Sequence, residues 1–311
     1  MSACGSEGDD TATESSVATT AAAVTTTAAA AATTAPVATT TGGTGAVDLT
    51  RLAVGDDQFA STATVGKIFT CQSEFNGGGA QAQGPWFNGD GTWDSTAKIA
   101  VQGEVQWDAA SVKFTLGGDS RLVTANALPD HDTGTFPIAA DDPAAAYDRN
   151  PNSISEQTIS TDLPAVPALA GGASCIRGEV GIATNGVPIY DGFDAGGRDA
   201  VAWEVQDACH GHPQQSGQYH YHDVSPCLDD EGEGHSLLAG YAYDGFGIYG
   251  LRGEGGVALT NADLDECHGH THTIDWDGAE VEMYHYHATA EFPYTVSCFR
   301  GTSTQGPSAG G

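Results

Sequence analysis

The residues with chemistry to offer are histidines, and they come in pairs. Tyr219-His220-Tyr221-His222 and Tyr284-His285-Tyr286-His287 each set two histidines two residues apart. Each follows a Cys-His-Gly-His run, Cys209-His210-Gly211-His212 in one case and Cys267-His268-Gly269-His270 in the other. With His270-Thr271-His272 there are five His-x-His pairs among eleven histidines, where random placement gives fewer than one. In a β-strand alternate side chains share a face, so such a pair aims two imidazoles at one point. Neutral imidazole is the commonest protein ligand for zinc and copper, and a nitrogen-rich site favours copper by the Irving–Williams order. His210, His212, His220, His222, His268, His270, His285 and His287 are therefore the candidate ligands, enough for two four-coordinate ions or one multinuclear cluster. Tyr219, Tyr221, Tyr284 and Tyr286 fall on the opposite strand face and are expected in the core. The rival reading stacks these strands as aromatics without metal, but eight crowded imidazoles lacking an ion invite unfavourable protonation.

Other residues could complete such a site. His131, between Asp130 and Asp132, lies in the irregular stretch from Leu128 to Ile154 and has the chemistry to cap a metal. Asp191 and Asp244 sit in what read as equivalent Tyr-Asp-Gly-Phe turns, where structure is the default and a calcium site or a carboxylate behind a histidine is the minority reading. Asp207 and Asp265, two residues before the cysteines, have the same standing. Cys209 and Cys267 can ligate as thiolates or form disulfides. The favoured pairs are Cys209 with Cys227 and Cys267 with Cys298, which leaves Cys71 with Cys175; sequence alone does not fix the connectivity. There is no Ser-His-Asp elbow, phosphate loop or dinucleotide fingerprint.

The elements that must position these groups are strands. From Val47 onward short apolar or alternating runs, such as 67–71, 98–101 and 111–116, are separated by Gly, Asn, Asp and Pro clusters. No stretch of twelve residues keeps a helical period. The fold expected is mainly β, a sandwich-like domain with long loops. The second half repeats itself: 190–193, 207–212, 219–222 and Cys227 recur as 243–246, 265–270, 284–287 and Cys298. The spacers change length while the order holds, which points to two related His-rich modules facing each other across a pseudo-twofold axis.

Ten basic residues stand against 41 acidic ones, a formal charge of −31, and such a surface repels nucleic acid and anionic membranes. Residues 1–45 are rich in Ala and Thr and read as a flexible linker. Cys4, in Met1-Ser2-Ala3-Cys4-Gly5, resembles the end of a bacterial lipoprotein signal, so a lipid anchor there is expected. Residues 46–305 form the folded domain, a β-rich part over 46–170 and a duplicated part over 171–305, with a disordered tail at 306–311.

Many ordered motifs, among them 150–154, 185–190, 217–222, 235–241, 243–250, 264–267 and 292–301, resemble the YHYH-domain family of exported bacterial proteins, whose activity is undetermined. Phe246-Gly247-Ile248 has Gly where the family has Pro. The resemblance implies an exported, cysteine-bearing domain, secreted or lipid-anchored outside the cell. Within that frame the residues read as a copper- or zinc-binding protein. A metal-dependent oxidase or hydrolase with an open coordination position is the enzymatic alternative, and a structural or adhesive surface protein is the third.

Overall fold

The duplicated sequence folds into one eight-stranded sheet. The computed structural model describes residues 47–304 apart from positions 73, 229 and 231. The strands of the sheet are β1 (Glu179–Ala183), β2 (Pro188–Tyr190), β3 (Gly211–Pro213), β4 (Tyr219–Tyr221), β5 (Leu238–Ala242), β6 (Gly247–Tyr249), β7 (Gly269–Trp276) and β8 (Ala279–His287). Their order is β3-β4-β2-β1-β5-β6-β8-β7. Replacing each strand by its repeat counterpart, β1 by β5 through β4 by β8, gives the same order read backwards. β1 and β5 pair antiparallel in the middle, with Tyr241 opposite Ile182. In both copies the second and fourth strands pair parallel and the third and fourth antiparallel.

The two central strands are buried almost throughout, which is why they read as apolar runs with small residues. Gly181 and Gly240 let them approach: a Cβ would lie 2.5 Å from the Tyr241 carbonyl at the first and 2.6 Å from the Ile182 carbonyl at the second. The β1–β2 turn is Asn185-Gly186 and the β5–β6 turn Asp244-Gly245. Each glycine takes the positive φ that such a turn requires, 86° and 91°. This corrects the repeat alignment read from the sequence. The counterpart of Asp244 is Asn185, and Asp191 answers to Gly250, because Tyr190-Asp191 ends β2 as Tyr249-Gly250 ends β6.

Three antiparallel strands, Val112–Gly117, Ser120–Ala125 and Ile159–Pro164, form a meander against the large sheet. Phe114 meets the Tyr241 ring at 5.3 Å. Arg121 lies over the rings of Tyr241 and Trp276 and donates to both carboxylate oxygens of Asp277. Ile68–Phe69 is the strand expected near Cys71, but 98–101 forms none. Only Val101 bridges, to Asp207, while the part-buried Lys98 amine is taken by the Val201 carbonyl and Gln206. All three expected disulfides are present, Cys71–Cys175, Cys209–Cys227 and Cys267–Cys298. No helix among the described residues is long and apolar enough to cross a membrane. The expected linker, Cys4 and the 306–311 tail lie outside the described residues.

Candidate metal centres

Opposite registers on equivalent strands build the two centres. His212 faces His220 across β3–β4, and His270 faces His285 across β7–β8. Directly opposed side chains are close neighbours on one sheet face, and alternation along β4 and β8 adds His222 and His287 to that face. The ligand atoms of His212, His220 and His222 lie within 4.8 Å of one another, and all three residues are buried. A second group, His235, His272, His285 and His287, meets the same limit. The His270 ring stands 4.6–4.9 Å from His272, His285 and His287, so five imidazoles crowd there.

Hydrogen bonds fix which nitrogen of each ring is free. His220 and His285 donate from Nδ1 to the carbonyl two residues back, Gln218 at 3.2 Å and Met283 at 3.1 Å. His222 and His287 donate from Nδ1 to Asp191 O at 2.6 Å and Gly250 O at 2.7 Å. His235 and His272 donate to the carbonyl of the next residue. A carbonyl only accepts, so in each of these six rings, when the imidazole is neutral, Nε2 presents a bare lone pair. Yet Nε2 atoms meet Nε2 atoms at 3.1 Å in three pairs: His220 with His222, His272 with His285, and His235 with His287. Two lone pairs at that distance repel unless a proton or a metal lies between them.

Burial opposes the proton. It holds His212 and His220 well below the ordinary histidine range and lowers His222 and His235. It lowers His270 to about 4 and His285 to about 3. Nitrogens bound about 2.0–2.1 Å from one tetrahedral zinc lie about 3.3–3.4 Å apart, close to the spacing seen. Three further buried atoms lack any hydrogen-bond partner among the described residues: both ring nitrogens of His212 and Nε2 of His270.

The first centre also has a carboxylate. Helix α1 (Ala200–Trp203), capped by the Asp199 side chain on Ala202 N, delivers Glu204 at its end. Its Oε2 lies 3.5 Å from His212 Nε2 and 3.6 Å from His222 Nε2, buried and without a hydrogen bond. Burial, with Asp194 and Asp148 nearby, pushes this carboxyl well above its usual range.

The opposite face of β4 and β8 is a tyrosine face. Tyr219 and Tyr284 donate to Asp207 and Asp265, which also take the amides of Cys209 and Gly211, and of Cys267 and Gly269. Tyr286 donates to Asp244 at 2.6 Å, while Tyr221 accepts from Asn185 at 3.0 Å. Asp207, Asp265 and Asp244 thus hold tyrosines and turns. Asp191 accepts from Phe193 N and Gly178 N.

Three expected ligands lie elsewhere. His210 and His268 adopt left-handed φ, 62° and 74°, in turns that precede the strands, so strand alternation does not reach them. His210 is half exposed and bonds Asp223 at 2.7 Å; His268 bonds the Thr289 hydroxyl. His131 takes the Tyr221 hydroxyl at 2.6 Å on the tyrosine face. Its ligand atom also lies within 4.8 Å of the sulfurs of Cys209 and Cys227, which are joined as a disulfide and offer no thiolate. Conversely, His235, His272 and Glu204 were not among the expected ligands. His272 already showed its His-x-His spacing, and Glu204 stands as a carboxylate inside the apolar run Val201-Ala202-Trp203-Glu204-Val205. His235 opens the family-like motif 235–241, but it has no His-x-His partner to mark it as a ligand.

Residues 160–258 match the family model described as YHYH protein. Over those residues the chain is similar to that family. The function of that family is undetermined. The match is narrower than the 128–301 stretch over which motifs resemble the family, and it stops before the second Cys-His-Gly-His run. No curated protein and no solved structure matches the chain.

Proposed function

We propose that this protein binds transition-metal ions, copper or zinc, with one centre in each module. The observation that carries the reading is the set of three Nε2 pairs at 3.1 Å whose rings are already committed through Nδ1 to carbonyls. A cation between the nitrogens relieves a conflict that burial stops a proton from relieving. His212, His220 and His222 serve the first centre; His235, His272, His285 and His287 serve the second, with His270 beside them as a fifth nitrogen donor. The same conflict weighs against a purely structural or adhesive role, and full burial of the first centre favours holding an ion over turning over a substrate. The palindromic strand order supports a pseudo-twofold relation between the modules. The three disulfides are compatible with a setting outside the cytoplasm. In this reading the domain spans 46–305, tethered by residues 1–45 to a lipid on Cys4.

The test is elemental analysis of untagged protein, followed by reconstitution with Cu(II) and with Zn(II). Two ions per chain are expected. His222→Ala and His287→Ala each remove one, and His210→Ala keeps both. Binding no tighter than about micromolar, too weak to retain a structural ion, would overturn the reading.

A further inference from the structure

We propose that the two centres are unlike: the first a closed three-histidine, one-carboxylate site that retains a zinc-type ion, the second an open all-histidine site that holds copper(II) exchangeably. This rests on the metal-binding reading above and divides it in two.

The donor sets differ first. In the first centre three imidazoles share their space with Glu204 Oε2, a buried carboxylate oxygen that no donor satisfies. Such an oxygen stays costly until it is protonated or bound to a cation. A divalent ion sealed from water needs negative charge beside it, and Glu204 supplies that charge. Three nitrogens and one oxygen complete the four-coordinate shell of a closed zinc site. Among the described residues the second cluster has no carboxylate among its members. The nearest among the described residues, Glu254, is 74% exposed and lies 4.0 Å from His272 Nδ1, the nitrogen on the other side of the ring from the cluster-facing Nε2. Five imidazoles stand there instead, His235, His270, His272, His285 and His287. An all-nitrogen set larger than four suits a tetragonal copper(II) ion with four equatorial donors and one axial.

Access differs too. His212, His220 and His222 are each 3% exposed. In the second centre only His285 and His287 are buried. His235 and His272 are partly open, one on the segment before β5 and the other on the edge strand β7. One imidazole of five can leave while four keep the ion, so an incoming ligand can enter without the ion first being stripped. No such spare donor exists in the first centre.

The experiment challenges protein loaded with one equivalent each of Zn(II) and Cu(II) with excess EDTA and follows both metals by elemental analysis and copper by electron paramagnetic resonance. Expected is a fast phase carrying copper with a nitrogen-rich tetragonal signal, and a slow phase carrying zinc, at least about 100-fold slower, that completes only when urea unfolds the protein. His235→Ala and His272→Ala speed copper loss and leave the zinc phase alone. Glu204→Gln speeds the zinc phase about 10-fold or more, with Glu204→Asp restoring part of the retention. Two ions leaving at one rate, or copper in the slow phase, overturn the inference and leave the metal-binding reading intact. No ion bound at all overturns both. Should Glu204→Gln fail to fold, the two-phase release of the unaltered protein still decides.

Discussion

Consider the metal-free protein, kept in excess chelator, as the pH falls from 7 to 5. Burial holds His268 and His285 down to about 3 and His270 to about 4. In the unfolded chain the same groups titrate near about 6.5. The unfolded state therefore binds protons first, so this contribution is intact above about pH 6.5 and is lost as the pH falls toward the folded values. Each of the three costs about 2 kcal/mol over the interval. Carboxyls work the other way, and burial raises eight of them among the described residues. Burial raises Asp191 and Asp199 to about 6, so at pH 5 the native state keeps protons that the unfolded chain has released. Each of these returns about 1.3 kcal/mol. These five groups together leave a loss of about 3 kcal/mol; the lowered His212, His220, His222 and His287 add to it, and the other six raised carboxyls subtract from it. Urea unfolding followed by far-ultraviolet circular dichroism at pH 7, 6 and 5 isolates one of these histidines: His285→Asn should lose about 2 kcal/mol less than the unaltered protein over the interval. An equal loss in the two proteins would mean that His285 is already protonated or hydrated. The lone-pair conflict on which the metal reading stands would then be gone.

Tyr286→Phe removes a bond to the Asp244 carboxylate and the acceptor for Arg300 N, so it should cost about 2–4 kcal/mol in urea unfolding while both ions stay bound. Loss of an ion from the folded variant would put this tyrosine on the metal side. Replacing Cys267 and Cys298 together by serine opens a link across 31 positions and should cost about 3.5 kcal/mol at matched metal loading. Unchanged stability would show that the bond does not form in the purified protein.

The strand face of Tyr-His-Tyr-His was legible because period-two alternation depends only on local backbone, and β4 and β8 obey it. The disulfides were legible because each module holds its own two cysteines. The Cys-His-Gly-His runs misled for a physical reason: their first histidine is bent to positive φ by a turn that Asp207 or Asp265 pins, which breaks the alternation. The repeat was offset at Tyr-Asp-Gly-Phe because letters matched where hydrogen bonds do not. The bonds of Tyr221 to Asn185 and Tyr286 to Asp244 give the true equivalence. Glu204 and His235 arrive from segments with no counterpart in the other copy, and only tertiary folding brings them to the clusters.

That last asymmetry has an evolutionary consequence. After a duplication, the shared frame of tyrosine–carboxylate and tyrosine–amide latches constrains both copies alike, since a slip in either would unravel the common sheet. The segments that bring in the last ligands, α1 in one copy and the run before β5 in the other, stand outside that shared frame; α1 is held instead through its own cap, Asp199, by Tyr294. Selection can therefore retune one metal environment while leaving its twin alone, by altering a few residues outside every strand. Grafting the Glu204 segment into the second module, or a histidine in place of Glu204 in the first, would repeat that history in the laboratory.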